Sequence, residues 1–338
     1  MRFRNLYPTE YKLKKFLTFI LKFILVLGLT YGAYHLLFWF LWVADFGPDA
    51  YDGSYQRALL WQYEALAEED REPEVIVFGS SYVPFGIDAE TMSGILGQNV
   101  QTLGVEASLG IPVLVDILYD TAKPGDTVVY MLGKSNWSQE DFFVISCALE
   151  ENKELLQQYW DSRPGVLEGQ RNKMLWRKLY TLLVGDLIET IRSAISDKEQ
   201  VYSIDSFDVS GNMVGLREGT LISTDVGPSD TLCFEDMDLV TMDLLNEFSL
   251  WCEENDITFV IAYSMTIDGS LVETEEELAI YHEQMTDYMN ADILGIPEDY
   301  FLPVEYFYNH EAHLNTEGAR AYSEILAGHI LKYRSNRP

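Results

Sequence analysis

From Glu74 onward, the sequence alternates short apolar runs with amphipathic segments of helical period. The apolar runs have the length of buried strands, and the segments between them have the length of helices. The predicted strands are Val75–Phe78, Val100–Leu103, Thr127–Leu132 and 257–263, and the predicted helices are 88–96, 111–122, 237–254, 275–289 and 315–333. Strands that alternate with helices form a parallel sheet with helices on both faces. The sequence therefore predicts an α/β fold, a three-layer α/β/α sandwich with a mainly parallel sheet.

Capping residues mark the start of two of these helices. Asp88 precedes the predicted helix 88–96, where its carboxylate can accept a hydrogen bond from a free backbone N–H group of the first turn. Thr274 precedes the helix 275–289, and Glu277 follows three residues later, which is the spacing of a capping box.

Residues 138–235 interrupt the alternation and form a predicted insertion that is largely helical, with a loop around residues 208–212. Its main helix is predicted from an apolar stripe at Leu175, Leu179, Leu183, Leu187, Ile191 and Ile195, with basic residues near the start at Arg171, Lys173, Arg177 and Lys178. Such a helix packs on its own domain, or it presents its basic face to a membrane or a partner. The predicted domain is residues 74–338, with the insertion at 138–235.

Residues 23–44 form an apolar run of 22 residues that contains no Asp, Glu, Lys or Arg and a single histidine, His35. At about 1.5 Å per residue, a helix of this length crosses a hydrocarbon core of roughly 30 Å. Six basic residues precede the run, so the positive-inside rule predicts a cytoplasmic segment 1–22 and an extracytoplasmic body. The run is too long for a cleaved signal peptide. We therefore predict a single-pass signal-anchor in the cell membrane, followed by a linker and first helix at 45–73.

The net charge of −31 excludes general nucleic-acid binding, because binding to phosphates requires basic patches. The acidic residues are concentrated after residue 45, where there are 52 acidic residues and 17 basic ones. An acidic surface of this kind suits a soluble body outside the cell, either for solubility alone or beside cationic partners.

The three cysteines, Cys147, Cys233 and Cys252, lie far apart, and none belongs to a Cys-x-x-Cys pair. None has a histidine at zinc-ligand spacing, so we expect no zinc site. Three cysteines allow one disulfide or none, and packing as a small apolar side chain is the more common role of each. The sequence predicts neither a metal nor a cofactor.

The sequence Gly79-Ser80-Ser81 follows the predicted strand Val75–Phe78. A tight turn after a parallel strand exposes its side chains at the carboxyl edge of the sheet, where α/β folds place their binding sites. A serine hydroxyl becomes a nucleophile when a base removes its proton. Ser81 is therefore a candidate nucleophile, although serines are also common as simple turn formers.

Among the five histidines, only His310 and His313 lie in a predicted loop outside the membrane segment. The loop precedes the last helix, whose dipole keeps an imidazole neutral and able to accept a proton. His313 is therefore the candidate base for Ser81. A metal site at His310 and His313 is disfavoured, because the two are not four residues apart and no third ligand is visible.

The order of these residues resembles that of the SGNH/GDSL hydrolase superfamily, over two blocks on either side of the insertion. The resemblance implies that Ser81 is the nucleophile and His313 the base. It also implies an oxyanion hole formed by the backbone N–H groups of Ser81 and Gly104 and by Asn136, which is one residue out of the usual register. The implied fold is SGNH-like and flavodoxin-like, and the implied chemistry is attack on an ester bond.

The acid that orients the base in this superfamily is absent from its usual position, three residues before His313, where the chain has His310. Asn309 stands one residue further upstream, where membrane-anchored relatives often carry Asp. An asparagine can orient an imidazole but cannot stabilise its positive charge. Three outcomes stay open: a Ser-His pair helped by Asn309, an acid supplied from elsewhere such as Glu311, or a domain that has lost catalysis.

The N-terminal anchor and outward-facing domain resemble a membrane-anchored branch of the superfamily, which includes the D-alanine transfer protein of teichoic acid modification and proteins of polysaccharide O-acetylation. The resemblance implies a serine esterase or O-acyltransferase that acts on a cell-envelope glycan or acylated polymer, beside a multi-pass membrane acyltransferase. The alternative is a catalytically impaired SGNH-like domain that binds polymer or scaffolds such an acyltransferase. The missing acid and the basic helix from Arg171 are the features that speak for this alternative.

Overall fold

The computed structural model of the protein describes most of the chain. The described residues are 8–43, 55–134, 139–165, 201–215 and 217–336, together with Gly169, Lys173, Trp176, Leu179 and Tyr180. The predicted oxyanion residue Asn136 and most of the basic helix predicted from Arg171 lie outside the described residues.

The first helix, α1 (Pro8–Val43), is 36 residues long. Its stretch Leu13–Leu37 contains 25 residues with a mean hydropathy of 1.9, and its most apolar part is not buried against the rest of the chain. A helix of this length and composition is long and apolar enough to cross a membrane. The apolar stretch begins before the predicted boundary at residue 23 and includes Lys14, Lys15 and Lys22.

The core of the fold is a five-stranded parallel sheet. The first seven strands in chain order are β1 (Val75–Phe78), β2 (Val100–Leu103), β3 (Thr127–Leu132), β4 (Thr258–Tyr263), β5 (Thr266–Ile267), β6 (Asp292–Leu294) and β7 (Phe301–Leu302). The sheet has the order β2-β1-β3-β4-β6, while β5 and β7 pair separately. Every residue of β1, β2 and β3 is buried, as is typical of parallel sheets. The predicted α/β class and mainly parallel sheet are confirmed.

The helices predicted at 88–96, 111–122, 237–254, 275–289 and 315–333 are all present, and their ends agree with the prediction to within three residues. The described helices of the body are α2 (Ala58–Ala67), α3 (Tyr82–Gly86), α4 (Ala89–Leu96), α5 (Ile111–Thr121), α6 (Phe142–Ala148), α7 (Lys153–Ser162), α8 (Leu239–Glu254), α9 (Glu275–Tyr288) and α10 (Thr316–Asn336). Both predicted caps are present. Asp88 accepts a hydrogen bond of 2.9 Å from the N–H of Thr91, and Thr274 forms a capping box with Glu277.

The sequence pattern does not indicate α3, β5 or β7, and it misses two further features of the described residues. One is β6, which has three residues, of which only Leu294 is buried, so it lacks a recognisable apolar run. The other is a hairpin of β8 (Phe307–His310) and β9 (His313–Leu314). The hairpin pairs His310 with His313 and folds the segment before His313 back against it.

The described residues in the last part of the insertion, 201–215 and 217–232, cross the carboxyl edge of the sheet, and we call them the crossing segment. At one end, Asn212 Oδ1 accepts a hydrogen bond of 2.9 Å from the backbone N–H of Thr102 in β2. Further along, the N–H of Ile222 donates a bond of 3.1 Å to the carbonyl of Tyr308 in β8. The crossing segment therefore spans the edge at which the candidate nucleophile and base were predicted.

The three cysteines all lie among the described residues, and none of them forms a disulfide. Cys147 and Cys252 are buried and pack in the apolar core, as predicted for small apolar side chains, whereas Cys233 is partly exposed. Burial raises the pKa of the Cys252 thiol to about 12, which keeps it protonated and unreactive.

Candidate active site

The nucleophile turn, Gly79 to Ser81, begins where β1 ends and continues directly into the short helix α3. Gly79 must lack a side chain, because a Cβ there would lie 2.7 Å from the ring of Tyr82. Ser81 stands at the start of α3 and remains partly exposed, whereas Ser80 beside it is buried. Within the described part of the chain, the backbone N–H of Ser81 has no hydrogen-bond acceptor. The turn thus presents one serine hydroxyl at the carboxyl edge of the sheet.

His313 bridges the nucleophile turn and the hairpin. Its Nε2 lies 3.0 Å from Ser81 Oγ, and its Nδ1 lies 3.0 Å from Asn309 Oδ1. The imidazole is 8 % exposed and stacks on the buried ring of Phe85, with ring centroids 4.0 Å apart and planes 11° apart. The contacts expected of a serine–base pair, with Asn309 on the distal nitrogen, are therefore present.

The surroundings of His313 keep it neutral. Burial, and to a smaller extent the nearby His310, lower the pKa of His313 to about 3. Because Asn309 Oδ1 is an acceptor, the ring proton lies on Nδ1, and the lone pair of Nε2 faces the hydroxyl of Ser81. This is the tautomer that a general base needs. The same low pKa means that the protonated ring is poorly stabilised, because none of the described carboxylates forms a hydrogen bond with it.

The structure resolves where the candidate acids lie. The side chain of His310, at the usual position of the acid, is 56 % exposed, and its Nε2 is 3.9 Å from a carboxylate oxygen of Glu311. Glu311 therefore faces His310 and not His313. Among the described residues, the imidazole of His313 forms hydrogen bonds only with Ser81, Asn309 and Tyr202, and none of these carries a carboxylate.

Gly104, the second predicted oxyanion donor, ends β2 close to the nucleophile turn. Its φ is +128°, and a Cβ would lie 1.9 Å from the carbonyl oxygen of Gly79, so only glycine fits. Its N–H is not directed at an open position, because it donates a hydrogen bond of 2.9 Å to Oε1 of the buried Gln62. The oxyanion role of Gly104 stays a prediction, and it requires Gln62 to release this N–H.

Arg217 of the crossing segment was not indicated by any sequence signal. It is 3 % exposed and donates hydrogen bonds to the carbonyls of Pro84 and Ile87, at the end of α3. Its own carbonyl accepts a bond of 3.2 Å from the N–H of Thr316, at the start of α10. Burial lowers the pKa of Arg217 to about 10, since nearby acidic groups offset only part of the desolvation cost. Arg217 thus ties the helix after Ser81 to the helix after His313.

Two further residues that support the site come from distant parts of the chain. Tyr202, at the start of the crossing segment, places its hydroxyl 3.4 Å from Nδ1 of His313 and accepts a bond of 3.0 Å from Asn309. Gln62 of α2 binds Gly104, as described above. Neither lies in a motif, because their roles arise only when the insertion and α2 fold onto the sheet edge.

The structure gives no direct indication of a metal centre. Across the described residues, no group of three or more His, Cys, Asp or Glu side chains is placed to hold a metal ion. His282 pairs instead with the hydroxyl of Tyr263 at 2.8 Å, and His329 lies 3.5 Å from Asp299.

No known family model matches the chain, and no curated protein matches it. Function therefore has to be inferred from the geometry of the site. That geometry pairs a partly exposed serine hydroxyl with a neutral imidazole, which is the arrangement that activates a serine for attack on a carbonyl carbon.

Proposed function

We propose that this protein is a membrane-anchored, extracytoplasmic serine esterase or O-acyltransferase of the SGNH type. Its substrates would be acyl esters of a cell-envelope polysaccharide or a teichoic-acid-like polymer. The observation that carries the proposal is the position of His313, with Ser81 at 3.0 Å from one ring nitrogen and Asn309 at 3.0 Å from the other. The substrate class is inferred from the sequence resemblance and the apolar N-terminal helix.

In the proposed reaction, Ser81 Oγ attacks the acyl carbonyl while Nε2 of His313 takes the hydroxyl proton. The negative charge on the carbonyl oxygen is stabilised by the N–H of Ser81, with Gly104 and Asn136 as further predicted donors. The intermediate collapses, the leaving alcohol takes the proton back from His313, and an acyl-serine remains. Water or a sugar hydroxyl then attacks this ester, with His313 again serving as the base, and free Ser81 is regenerated.

Asn309 makes the proposed enzyme slow. It orients the imidazole through its Oδ1 but supplies no charge to the imidazolium that forms during the attack. In serine proteases, asparagine in place of the triad aspartate costs about 10⁴ in turnover, largely through the wrong tautomer. Here Oδ1 of Asn309 faces Nδ1 of His313, so His313 has the tautomer that a general base needs. The loss of turnover then comes only from the missing negative charge.

The proposed fold is the full three-layer sandwich of this superfamily. It is supported by two groups of helices that pack among themselves: α2, α5 and α8 in one group, and α3, α4 and α10 in the other. Placing one group on each face of the sheet gives the flavodoxin-like arrangement, for which the order β2-β1-β3-β4-β6 is typical.

The proposed anchor is α1, which would place the basic segment 1–22 in the cytoplasm and the body outside. Support comes from its length and apolar composition and from the basic residues at its start. Such an anchor would hold the site near the bilayer and near a multi-pass acyltransferase.

Hydrolysis of a chromogenic acetyl ester by the full chain in detergent tests the proposal. The wild type should turn over, and Ser81→Ala should lose at least about 10³-fold of this activity. Ser80→Ala is the matched control, since it removes the neighbouring hydroxyl and should keep most of the activity. Equal rates for wild type and Ser81→Ala would reject the nucleophile.

A second candidate function is a non-catalytic partner that binds polymer or scaffolds a membrane acyltransferase. The observation that favours it is the bond between Gln62 and the N–H of Gly104, which occupies a predicted oxyanion donor. On this proposal, Ser81→Ala leaves polymer acylation in cells intact, while deletion of residues 171–196 abolishes it. Loss of acylation in the serine variant would reject the partner proposal.

A further inference from the structure

The side of His313 that faces away from Ser81 meets two side chains. Asn309 Oδ1 lies 3.0 Å from Nδ1, and the hydroxyl oxygen of Tyr202 lies 3.4 Å from the same nitrogen. Asn309 Nδ2 also donates a hydrogen bond of 3.0 Å to the Tyr202 hydroxyl. The three groups form a closed triangle, in which Nδ1 faces two oxygen atoms.

We propose that Tyr202, contributed by the insertion, is a positioning residue that completes the orienting group of His313. Asn309 and Tyr202 together present two oxygen atoms to Nδ1, as the two oxygens of a carboxylate would. The proposal rests on the proposed function, because it affects catalysis only if His313 accepts the proton of Ser81.

The direction of the hydrogen bonds follows from the charge state that the reaction requires. When His313 takes the proton of Ser81, both of its ring nitrogens are donors, so Asn309 must turn its Oδ1 toward Nδ1. Asn309 Nδ2 then points away from the ring and needs an acceptor of its own. The hydroxyl oxygen of Tyr202 is that acceptor. Tyr202 thereby holds the amide in the orientation that suits the protonated ring.

Tyr202 is itself held by neighbouring rings. Its ring centroid lies 5.4 Å from that of Tyr55 and 5.9 Å from that of Phe85. Phe85 also stacks on His313, and the hydroxyl of Tyr55 donates to the carboxylate of Glu106. Tyr202 is 42 % exposed, and these two ring contacts restrict its side chain, so its hydroxyl loses less entropy when it bonds to Asn309. The helix α3, the loop after β2 and the crossing segment therefore all contribute to the position of one phenol oxygen.

Few charged groups compete with this arrangement. His310, in the same hairpin, has its ring centroid 5.3 Å from that of His313, and a charge there would oppose protonation of His313. Glu106 is the acid bound to Tyr55 behind the Tyr202 ring. Among the described residues, no carboxylate bonds to His313. Stabilisation of the imidazolium thus depends on the two neutral oxygens of Asn309 and Tyr202.

The first test measures hydrolysis of p-nitrophenyl acetate by the full chain in detergent. Tyr202→Phe keeps the ring and removes the hydroxyl, and it should lower kcat about 10- to 100-fold with little change in KM, as expected for a bond that supports a charged group. Tyr308→Phe is the matched control, because the described hydrogen bonds of Tyr308 involve its backbone only. An unchanged kcat in Tyr202→Phe overturns the proposal.

A double-mutant cycle separates positioning from general damage to the fold. Asn309→Asp supplies a carboxylate, which needs no partner to fix an amide orientation. In that background, Tyr202→Phe should change kcat by less than about threefold. An equal loss in both backgrounds would mean that Tyr202 is merely structural, and it would overturn the proposal.

A third measurement does not depend on turnover. If the wild type shows no turnover that depends on Ser81, the proposed function fails, and the tautomer of His313 still tests Tyr202. The ¹⁵N shifts of the labelled ring should show the proton on Nδ1 in the wild type and in Tyr308→Phe. Tyr202→Phe should increase the Nε2–H form, because Nδ1 then faces one oxygen instead of two. An unchanged tautomer in Tyr202→Phe overturns the positioning role.

Discussion

The nucleophile turn and the C-terminal hairpin meet at His313, but they are not equally equipped for catalysis. The turn presents Ser81 with its hydroxyl 3.0 Å from Nε2 and with a backbone N–H beside it. The hairpin places Asn309 at the same distance from Nδ1, where a carboxylate would stabilise the positive charge. The geometry of a serine–base pair is therefore complete, but the negative charge that would stabilise the protonated His313 is missing.

This difference has a physical origin. The distance between Ser81 and His313 is fixed by elements with many contacts, since both residues stand at the carboxyl edge of one parallel sheet. The charge on the distal side depends on a single side chain in a short hairpin. One substitution can therefore remove the charge without disturbing the geometry, which means that geometry alone does not set the rate.

The largest expected effect comes from removing the base that joins the two regions. His313→Ala should lower turnover that depends on Ser81 by at least about 10³-fold, because no other described side chain can accept the proton of Ser81. The comparison is with His310→Ala in the same hairpin, whose exposed ring does not touch Ser81 and whose loss should change the rate by less than about threefold. Chromogenic ester hydrolysis measures both. Equal losses in the two variants would contradict the assignment of the base.

A negative charge beside Nδ1 of His313 should give the hairpin the electrostatic stabilisation that it lacks for catalysis. Asn309→Asp places a carboxylate at Nδ1 of His313 without a change of shape, and kcat should rise about 10- to 10³-fold, because the imidazolium gains an ion-pair partner. Asn309→Leu keeps a similar volume but no hydrogen bond, and its kcat should fall. Steady-state kinetics at pH 7 measure these changes. A lower kcat in Asn309→Asp would show that the charge is not what the hairpin lacks.

The close contact between Gly104, which follows β2, and the nucleophile turn should tolerate little change. Gly104→Ala should lower the free energy of unfolding by more than about 2 kcal/mol, since the new Cβ collides with the carbonyl of Gly79 at 1.9 Å and φ is +128°. Gly97→Ala is the control, because its φ of +64° is also positive but nothing lies within 4 Å of the added Cβ. That variant should lose only about 1 kcal/mol. Urea unfolding measures the free energy of unfolding of both variants. Equal losses in the two variants would contradict the prediction.

A further expected effect is a dependence of stability on pH, which accumulates gradually over several pH units. An unfolded histidine has a pKa near 6.5, whereas burial lowers the pKa of His313 to about 3 in the folded state. Between these values the unfolded state binds a proton that the folded state does not, so stability rises with pH in this window. Stability should therefore fall by about 1 kcal/mol per pH unit as the pH drops from 6.5 toward 3. In His313→Gln this slope should be smaller, and an identical slope would contradict the prediction.

Much of this fold could be predicted from the sequence, because apolar runs of strand length and capped amphipathic helices are local patterns. The approach of Ser81 to His313 also followed from local patterns, since parallel strands bring their carboxyl ends to one edge. Tyr202 and Arg217 could not be found in this way. They belong to the crossing segment, which has no periodicity, and the groups that they contact at the site, the ring of His313 and the carbonyl of Pro84, lie more than 100 residues away in sequence. The bond between Gln62 and Gly104 was hidden for the same reason.

The proposal that Ser81 and His313 form a nucleophile–base pair is tested most directly by labelling with a fluorophosphonate probe. The full chain in detergent is treated with the probe, digested, and analysed by mass spectrometry to locate the adduct. The adduct should lie on Ser81 in the wild type, should be absent in Ser81→Ala, and should form faster in Asn309→Asp. A wild type that stays unlabelled, or an adduct that persists in Ser81→Ala, would contradict the nucleophile–base assignment.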